Sequence, residues 1–154
     1  MVNYDLRQAT EADQSFLFNV VHEAMSPVRI ASNPDKVVDM EKGLTDYKGK
    51  YPAKEVQVIQ YEGKDIGRLR VVRSKEEIYI GGIQILPEFQ SKGIGSAVVK
   101  DLIEESEELK IPITLEVHGV NTSANIFYSK LGFKFVEQKK NQSVLKYSPV
   151  SSTL

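Results

Sequence analysis

Three observations in this 154-residue sequence predict an α/β fold, a mixed and mostly antiparallel sheet carrying helices on both faces. Residues 11–25 and 93–109 space their apolar side chains three and four apart, as amphipathic helices do. Residues 56–86 change to a period of two, interrupted by Glu62-Gly63-Lys64-Asp65 and by Ser74-Lys75-Glu76, which is the pattern of a three-strand meander. The last strand of that meander, the 93–109 helix and a strand over 113–118 make a crossover, so one strand pair is parallel and the sheet is mixed.

The elements follow in order. Tyr4 to Ala9 is a short strand. Thr10 caps the 11–25 helix, with Asp13 at the capping-box position and Phe16, Leu17, Val20, Val21, Ala24 and Met25 as its apolar face; Pro27 ends it. Residues 35–48 are read as a second helix, with Val37, Met40, Leu44 and Tyr47 facing inward. Val56 and Val58 open the meander, Ile66 to Arg73 is its return strand, and Glu77 to Leu86 is the third strand, closed by Pro87. In the 93–109 helix Ile94, Ala97, Val98, Leu102, Ile103 and Leu109 share one face, and Glu104, Glu105, Glu107 and Glu108 form a solvated one. Ile113, Leu115 and Val117 are the inner face of the next strand. A helix over 122–131 is stopped by Gly132 in the left-handed conformation. A closing hairpin joins Phe133–Gln138 to Ser143–Tyr147 through Lys139-Lys140-Asn141. The predicted order is β-α-α-β-β-β-α-β-α-β-β, a single domain over 1–147 with 148–154 a flexible tail.

Composition excludes several function classes. Lys and Arg number 20 against 21 Asp and Glu, so bulk charge does not capture nucleic acid. With 0 cysteines there is no disulfide, no thiolate metal site and no cysteine nucleophile. The histidines are His22 and His118, too few for a histidine-rich metal cluster, and no metal is expected. His22 lies beside the apolar stripe of the first helix and reads as a helix-surface residue. No apolar run approaches the roughly 20 residues that cross a bilayer, so no membrane partner is expected. The first residues lack a basic region followed by an apolar stretch, and cytoplasmic residence is expected.

Gln90-Ser91-Lys92-Gly93-Ile94-Gly95-Ser96 lies between a strand and a helix. The first-turn amides of a helix have no internal partner, and the macrodipole places partial positive charge there. Two glycines remove side-chain bulk, so a diphosphate can approach, and Lys92 adds a point charge. The loop is not a Walker P-loop, because no Gly-Lys-Ser/Thr ends it. It is a poor dinucleotide fingerprint too, because the third glycine is missing and antiparallel strands precede it.

The run Ile83-Gln84-Ile85-Leu86-Pro87-Glu88-Phe89-Gln90-Ser91-Lys92-Gly93-Ile94-Gly95 resembles the acetyl-CoA motif of the GNAT N-acetyltransferases, whose loop reads Gln/Arg-x-x-Gly-x-Gly/Ala. Asn121-Thr122-Ser123-Ala124-Asn125-Ile126-Phe127-Tyr128-Ser129-Lys130-Leu131-Gly132-Phe133 is similar to that family's Asn-x-x-Ala-x-x-x-Tyr-x-x-x-Gly-Phe. The resemblance implies acetyl-CoA as cosubstrate, with Ile83, Gln84 and Ile85 pairing its pantetheine arm and the amides of Ser91, Lys92, Gly93, Ile94, Gly95 and Ser96 holding its diphosphate. Gln90 would shape the loop. Asn121 matches an asparagine that bonds the pantetheine or the neighbouring strand, and it reads equally as a plain helix N-cap. Tyr128 matches the tyrosine beside the thioester sulfur, where a phenol protonates the departing thiolate; by its residues alone it is an amphipathic core aromatic.

An alkyl ammonium carries no lone pair, so a base must take its proton. Leu115-Glu116-Val117 is similar to the branch that acetylates ribosomal-protein alanine, where a glutamate acts through water; His118-Gly119-Val120 departs from that branch's signature. Glu116 is therefore a base or a solvent-facing strand residue, and His118 is a second possible base. The acceptor, a small-molecule or peptide amine, carries no motif; Arg29, Lys36, Asp39 and Glu41 are its expected contacts. The resemblance also implies homodimerisation through the last strands, for which Val144, Leu145 and Tyr147 are available, unless they are core. Three functions stay open: an N-acetyltransferase, a noncatalytic acyl-CoA-binding or regulatory module on the same fold, and a nucleotide binder of another class.

Overall fold

Residues 2–150 are described by the computed structural model, so part of the expected tail, 151–154, lies outside the described residues. Among the described residues seven strands and five helices follow in this order: β1 (Asp5–Gln8), α1 (Gln14–Ala24), α2 (Ser26–Ser32), α3 (Met40–Lys50), β2 (Gln57–Tyr61), β3 (Lys64–Arg73), β4 (Ile78–Ile85), α4 (Ile94–Leu109), β5 (Ile113–His118), α5 (Thr122–Lys130), β6 (Lys134–Lys139) and β7 (Gln142–Tyr147). The chain forms two compact units, Met1–Arg70 with Gly82–Ala97, and Val71–Gly81 with Val98–Leu154.

In the first unit the strand order is β1-β2-β3-β4. β1 and β2 pair antiparallel from Asp5↔Gln60 to Gln8↔Gln57. β2 and β3 pair antiparallel around a two-residue turn, Glu62 and Gly63, whose φ values of 50° and 77° are those of the tight hairpin turn that matches strand twist. Leu17, Tyr47, Ala53, Val56 and Val58 form the buried cluster of this unit, with Phe16, Phe18, Val21 and Tyr51 against it. Asp13 accepts from the Thr10 backbone N–H at 2.8 Å, so the expected cap forms. It closes a turn of 3-10 helix over Glu11–Asp13 before α1 begins.

Two expectations about the helices need correction. Pro27 does not end the helical region. It stands in the first turn of α2, where its missing N–H would have no partner anyway, so the same residue that stops α1 starts a further helix. The second predicted helix begins at Met40 rather than at 35, because the Asp39 carboxylate accepts from the Lys42 N–H at 3.1 Å and caps it there. Val37 is therefore outside any helix and 91% exposed, and Met40 is exposed too; Tyr47 alone of the predicted face is fully buried. The element order gains one helix: β-α-α-α-β-β-β-α-β-α-β-β.

In the second unit the order is β4-β5-β7-β6. The β4–β5 ladder is parallel, Ile78↔Ile113 to Ile80↔Leu115, and it makes the sheet mixed as predicted. β7 pairs antiparallel with β5 and with β6. Ile113, Leu115 and Val117 are buried, and so are Val98, Val99 and Leu102 of α4. Leu109 is exposed instead of joining that face. The acidic side of α4 is only partly a solvated face. Glu105 takes two hydrogen bonds from Arg73, at 2.6 and 3.0 Å, and Glu107 accepts from the Tyr147 hydroxyl and the Val150 N–H. The last described residue of the expected tail is thus tied to α4. Leu145 is core, whereas Val144 and Tyr147 are only half-buried.

Candidate active site

The glycine loop belongs to the first unit. β4 ends at Ile85, and the Leu86 N–H donates to the Ile66 carbonyl at 2.9 Å, extending the pairing with β3. A single 3-10 turn over Pro87–Phe89 follows. The Gln90 side chain then reaches back, its Nε2 donating to the Ile85 carbonyl at 2.8 Å. Ser91 and Gly93 both adopt left-handed backbone, with φ of 62° and 83°. Such reversals turn successive N–H groups toward one side and shape an anion-binding concavity. The Gly93 carbonyl accepts from the Ala97 N–H at 3.0 Å, so α4 starts there. The amides of Ile94, Gly95 and Ser96 fall in its first turn, which has no carbonyl one turn back to receive them. The buried Ile94 side chain fixes the loop to the core. At Gly93 a Cβ would be strained by its φ and would lie 3.1 Å from Val2 Cγ2.

Ile83, Gln84 and Ile85, the predicted pantetheine strand, lead directly into this loop. Gln84 is engaged through its side chain, whose Oε1 accepts from Arg68 Nη1 at 2.9 Å. Arg68 is 2% exposed. Its Nε donates to the Tyr47 hydroxyl at 2.7 Å, and its guanidinium carbon lies 5.4 Å from the Tyr47 ring centre and 4.7 Å from that of Tyr51. Gly82 makes room for it, because a Cβ there would stand 2.5 Å from Arg68 Nη1. Burial pushes the Tyr47 phenol up, so it stays protonated. Arg68 belongs to none of the sequence motifs above. The signal was present: strand alternation puts it on the same face as buried Ile66, and a charge on a buried face asks for an explanation.

Glu116, Asn121 and Tyr128 belong to the second unit. Tyr128 is 7% exposed, between the rings of Phe127 and Phe133 with centroids at 5.0 and 5.2 Å. Burial pushes its phenol well above the usual range, so it holds its proton at neutral pH. Gly132 stops the helix with φ of 98°, as predicted, and the Phe133 N–H donates to the Tyr128 carbonyl at 3.0 Å. Asn121 is the N-cap of α5: its Oδ1 accepts from the Ala124 N–H at 3.1 Å. That cap uses the oxygen and leaves the side-chain NH2 to donate elsewhere.

Glu116 projects from β5 on the face opposite Leu115 and Val117. It pairs with Lys139 at 3.6 Å and borders a cavity of about 300 Å³ with Glu77, Tyr79, Thr114 and Lys146. His118, the other base considered, accepts at Nδ1 from the Val120 N–H at 3.3 Å, so that lone pair is already engaged.

The structure groups Ile83 to Ser96 in one continuous stretch of the first unit and holds Glu116, Asn121 and Tyr128 in the second. Two of the expected acceptor contacts are used locally. Arg29 donates to the His22 carbonyl at 3.0 Å and to Ser26 Oγ at 3.2 Å, and Asp39 caps α3. Lys36 and Glu41 are exposed. Among the described residues no group of three or more His, Cys, Asp or Glu is placed to hold a metal ion, and no helix is long and apolar enough to cross a membrane.

Comparison with known proteins gives a consistent result. The family model of the acetyltransferase (GNAT) domain matches residues 52–135. The fold is similar to that of the PaiA N-acetyltransferase from Thermoplasma acidophilum, solved in complex with coenzyme A, with a TM-score of 0.71 at 16% identity over 96% of this chain and 99% of that one. An acetyltransferase from Thermus thermophilus superposes with a TM-score of 0.72 at 17% identity, over 96% of this chain and 97% of that one. Arabidopsis thaliana Naa50, in complex with the bisubstrate analogue CoA-Ac-MVNAL, gives 0.65 at 18% identity, over 96% and 99%. No curated protein sequence matches.

Proposed function

Because the chain belongs to the GNAT acetyltransferase family, we propose that it moves the acetyl group of acetyl-CoA to a primary amine by direct attack in a ternary complex. The observation that carries this reading is the loop at the start of α4. Left-handed Ser91 and Gly93 and the open first-turn amides of Ile94, Gly95 and Ser96 have the chemistry to take a diphosphate. Lys92 adds charge, and the Gln90 bond to Ile85 fixes the loop relative to the strand. Ile83, Gln84 and Ile85 would pair the pantetheine through their backbone, with the side-chain NH2 of Asn121 as a further donor. This binding contributes rate by orientation, because it holds the thioester where the amine must arrive.

Glu116 is the proposed base, taking a proton from the ammonium through water; the engaged Nδ1 of His118 argues against the alternative. The amine lone pair then forms the C–N bond as the C–S bond breaks. Tyr128, held protonated by burial, supplies the proton to the departing sulfur, and the second proton, shed by the nitrogen as the amide forms, leaves to solvent, from which the phenol is reprotonated. The absence of cysteine supports direct attack, since no acyl-cysteine can form. The test is calorimetric titration of CoA followed by thiol release from acetyl-CoA over a panel of amines. Binding and amine-dependent release are expected. No heat and no release with any amine would overturn the reading.

A further inference from the structure

Inside the first unit Arg68 carries a positive charge with no anion beside it among the described residues. Its hydrogen-bond partners, the Tyr47 hydroxyl at 2.7 Å and Gln84 Oε1 at 2.9 Å, are both neutral. Its Nη2 is buried with no partner among the described residues. Tyr47 cannot serve as a counter-ion, because burial keeps its phenol protonated. Two residues on, on the same face of β3, Arg70 repeats the pattern. Its Nε is also buried and unpartnered, and its guanidinium carbon lies 5.5 Å from the centre of the same Tyr51 ring. The carboxylate that Arg70 meets, Glu55, is at 3.4 Å and partly exposed. Of the two guanidiniums only Arg70 meets a carboxylate, a peripheral one, and each keeps a buried N–H with no partner among the described residues. Buried charges in folded chains are ordinarily paired, and unsatisfied donors on them are costly.

Resting on the acetyltransferase reading above, we propose that the acceptor amine carries a carboxylate, and that Arg68 with Arg70 receives it. The planar guanidinium fork matches a carboxylate in two bonds, which a lysine could not do. The Tyr51 ring lies against both guanidiniums and is the group the carboxylate displaces.

The experiment uses α- and ω-amino acids, each as the free acid and as its carboxamide, with thiol release measured at saturating acetyl-CoA. An α-carboxamide has the less basic amine, so amine reactivity by itself favours the amide. We expect the acids to be preferred in kcat/KM by about tenfold or more. Arg68→Lys should bring the ratio to within about twofold with CoA affinity retained. Equal use of acid and amide by the wild type overturns the proposal, and needs no variant to fold. If CoA neither binds nor releases thiol with any amine, the acetyltransferase reading has failed, and the same acids and amides are titrated into the CoA-free protein by calorimetry. Heat from acids alone then upholds the carboxylate site, and no difference between the two forms overturns it.

Discussion

The Gln90 side chain donates from Nε2 to the Ile85 carbonyl at 2.8 Å, spanning the end of β4 and the start of the glycine loop. The bond closes a short chain of constraints: Leu86 paired to Ile66, a single 3-10 turn, then left-handed Ser91 and Gly93. Gln90 itself is exposed, so its loss leaves the core alone. Gln90→Ala should weaken CoA binding by about threefold to tenfold, the worth of one net hydrogen bond used for preorganisation. Calorimetry reads the affinity, and thermal melting should stay within about 2 °C of the wild type.

Tyr128→Phe removes one oxygen from a side chain already packed between Phe127 and Phe133. The ring burial survives, so stability should change little. If the phenol protonates the leaving thiolate, kcat should fall by about 10²-fold or more, the usual contribution of a positioned acid, while KM for acetyl-CoA is retained. A variant as fast as the wild type across the pH range would remove Tyr128 from the mechanism.

Glu116 and His118 are separated by a paired substitution. Glu116→Gln keeps the shape and the strand face but cannot take a proton, and kcat should fall by about 10²-fold. His118→Ala removes an acceptor already used by the Val120 N–H and should cost less than about threefold in kcat, with a small loss of stability from the freed N–H. The opposite ranking would make His118 the base. Steady-state rates at saturating amine decide between them.

Gly93→Val tests the loop from the backbone side. A β-branched residue at φ of 83° is strained, and a Cβ there already comes within 3.1 Å of Val2 Cγ2. The variant should lose about 1–3 kcal/mol of stability and most of its CoA affinity, measured by urea unfolding and calorimetry on the same preparation.

Local signals account for what was legible in the sequence. The 113–118 strand, the start of α4 and the stop at Gly132 depend on alternation, open amides and one left-handed glycine, each written within a few residues. Helix α2 is not legible in the sequence because proline carries two meanings, a stop for the helix before it and a favoured first-turn residue for the helix after it. Which applies depends on whether the following residues find a surface to pack on. Val37 fits a helical spacing with an inward face, but the Asp39 cap places the helix start after it. The site divides in the same way. Ile83 to Ser96 can be read as a string. Arg68 needs Tyr47, Tyr51, Gly82 and Gln84 around it, brought in from two stretches of chain on either side of its own, and no window of sequence contains them all.

The Arg7–Asp13 pair makes a prediction with a definite sign. Arg7 bonds both Asp13 oxygens, at 2.8 and 3.0 Å, and also reaches Asp65 at 2.8 Å. The guanidinium, with the Thr10 N–H, holds the Asp13 carboxyl down at about 2 from the ordinary 3.8. Folding therefore favours the ionised form. The stabilisation is complete above the unfolded value and is lost as pH falls from 3.8 through about 2. Arg7 is about a third exposed, so solvent screening reduces the worth of the pair to about 1 kcal/mol. Asp13→Asn should lower stability by that amount at pH 7 in urea unfolding, and the gap to the wild type should narrow as the medium is acidified from pH 3.8 through about 2, closing as the wild-type carboxyl becomes neutral below that. A gap that stayed constant across that window would mean that Asp13 acts through its cap geometry and packing, because only the ionised carboxylate can lose its contribution to protonation.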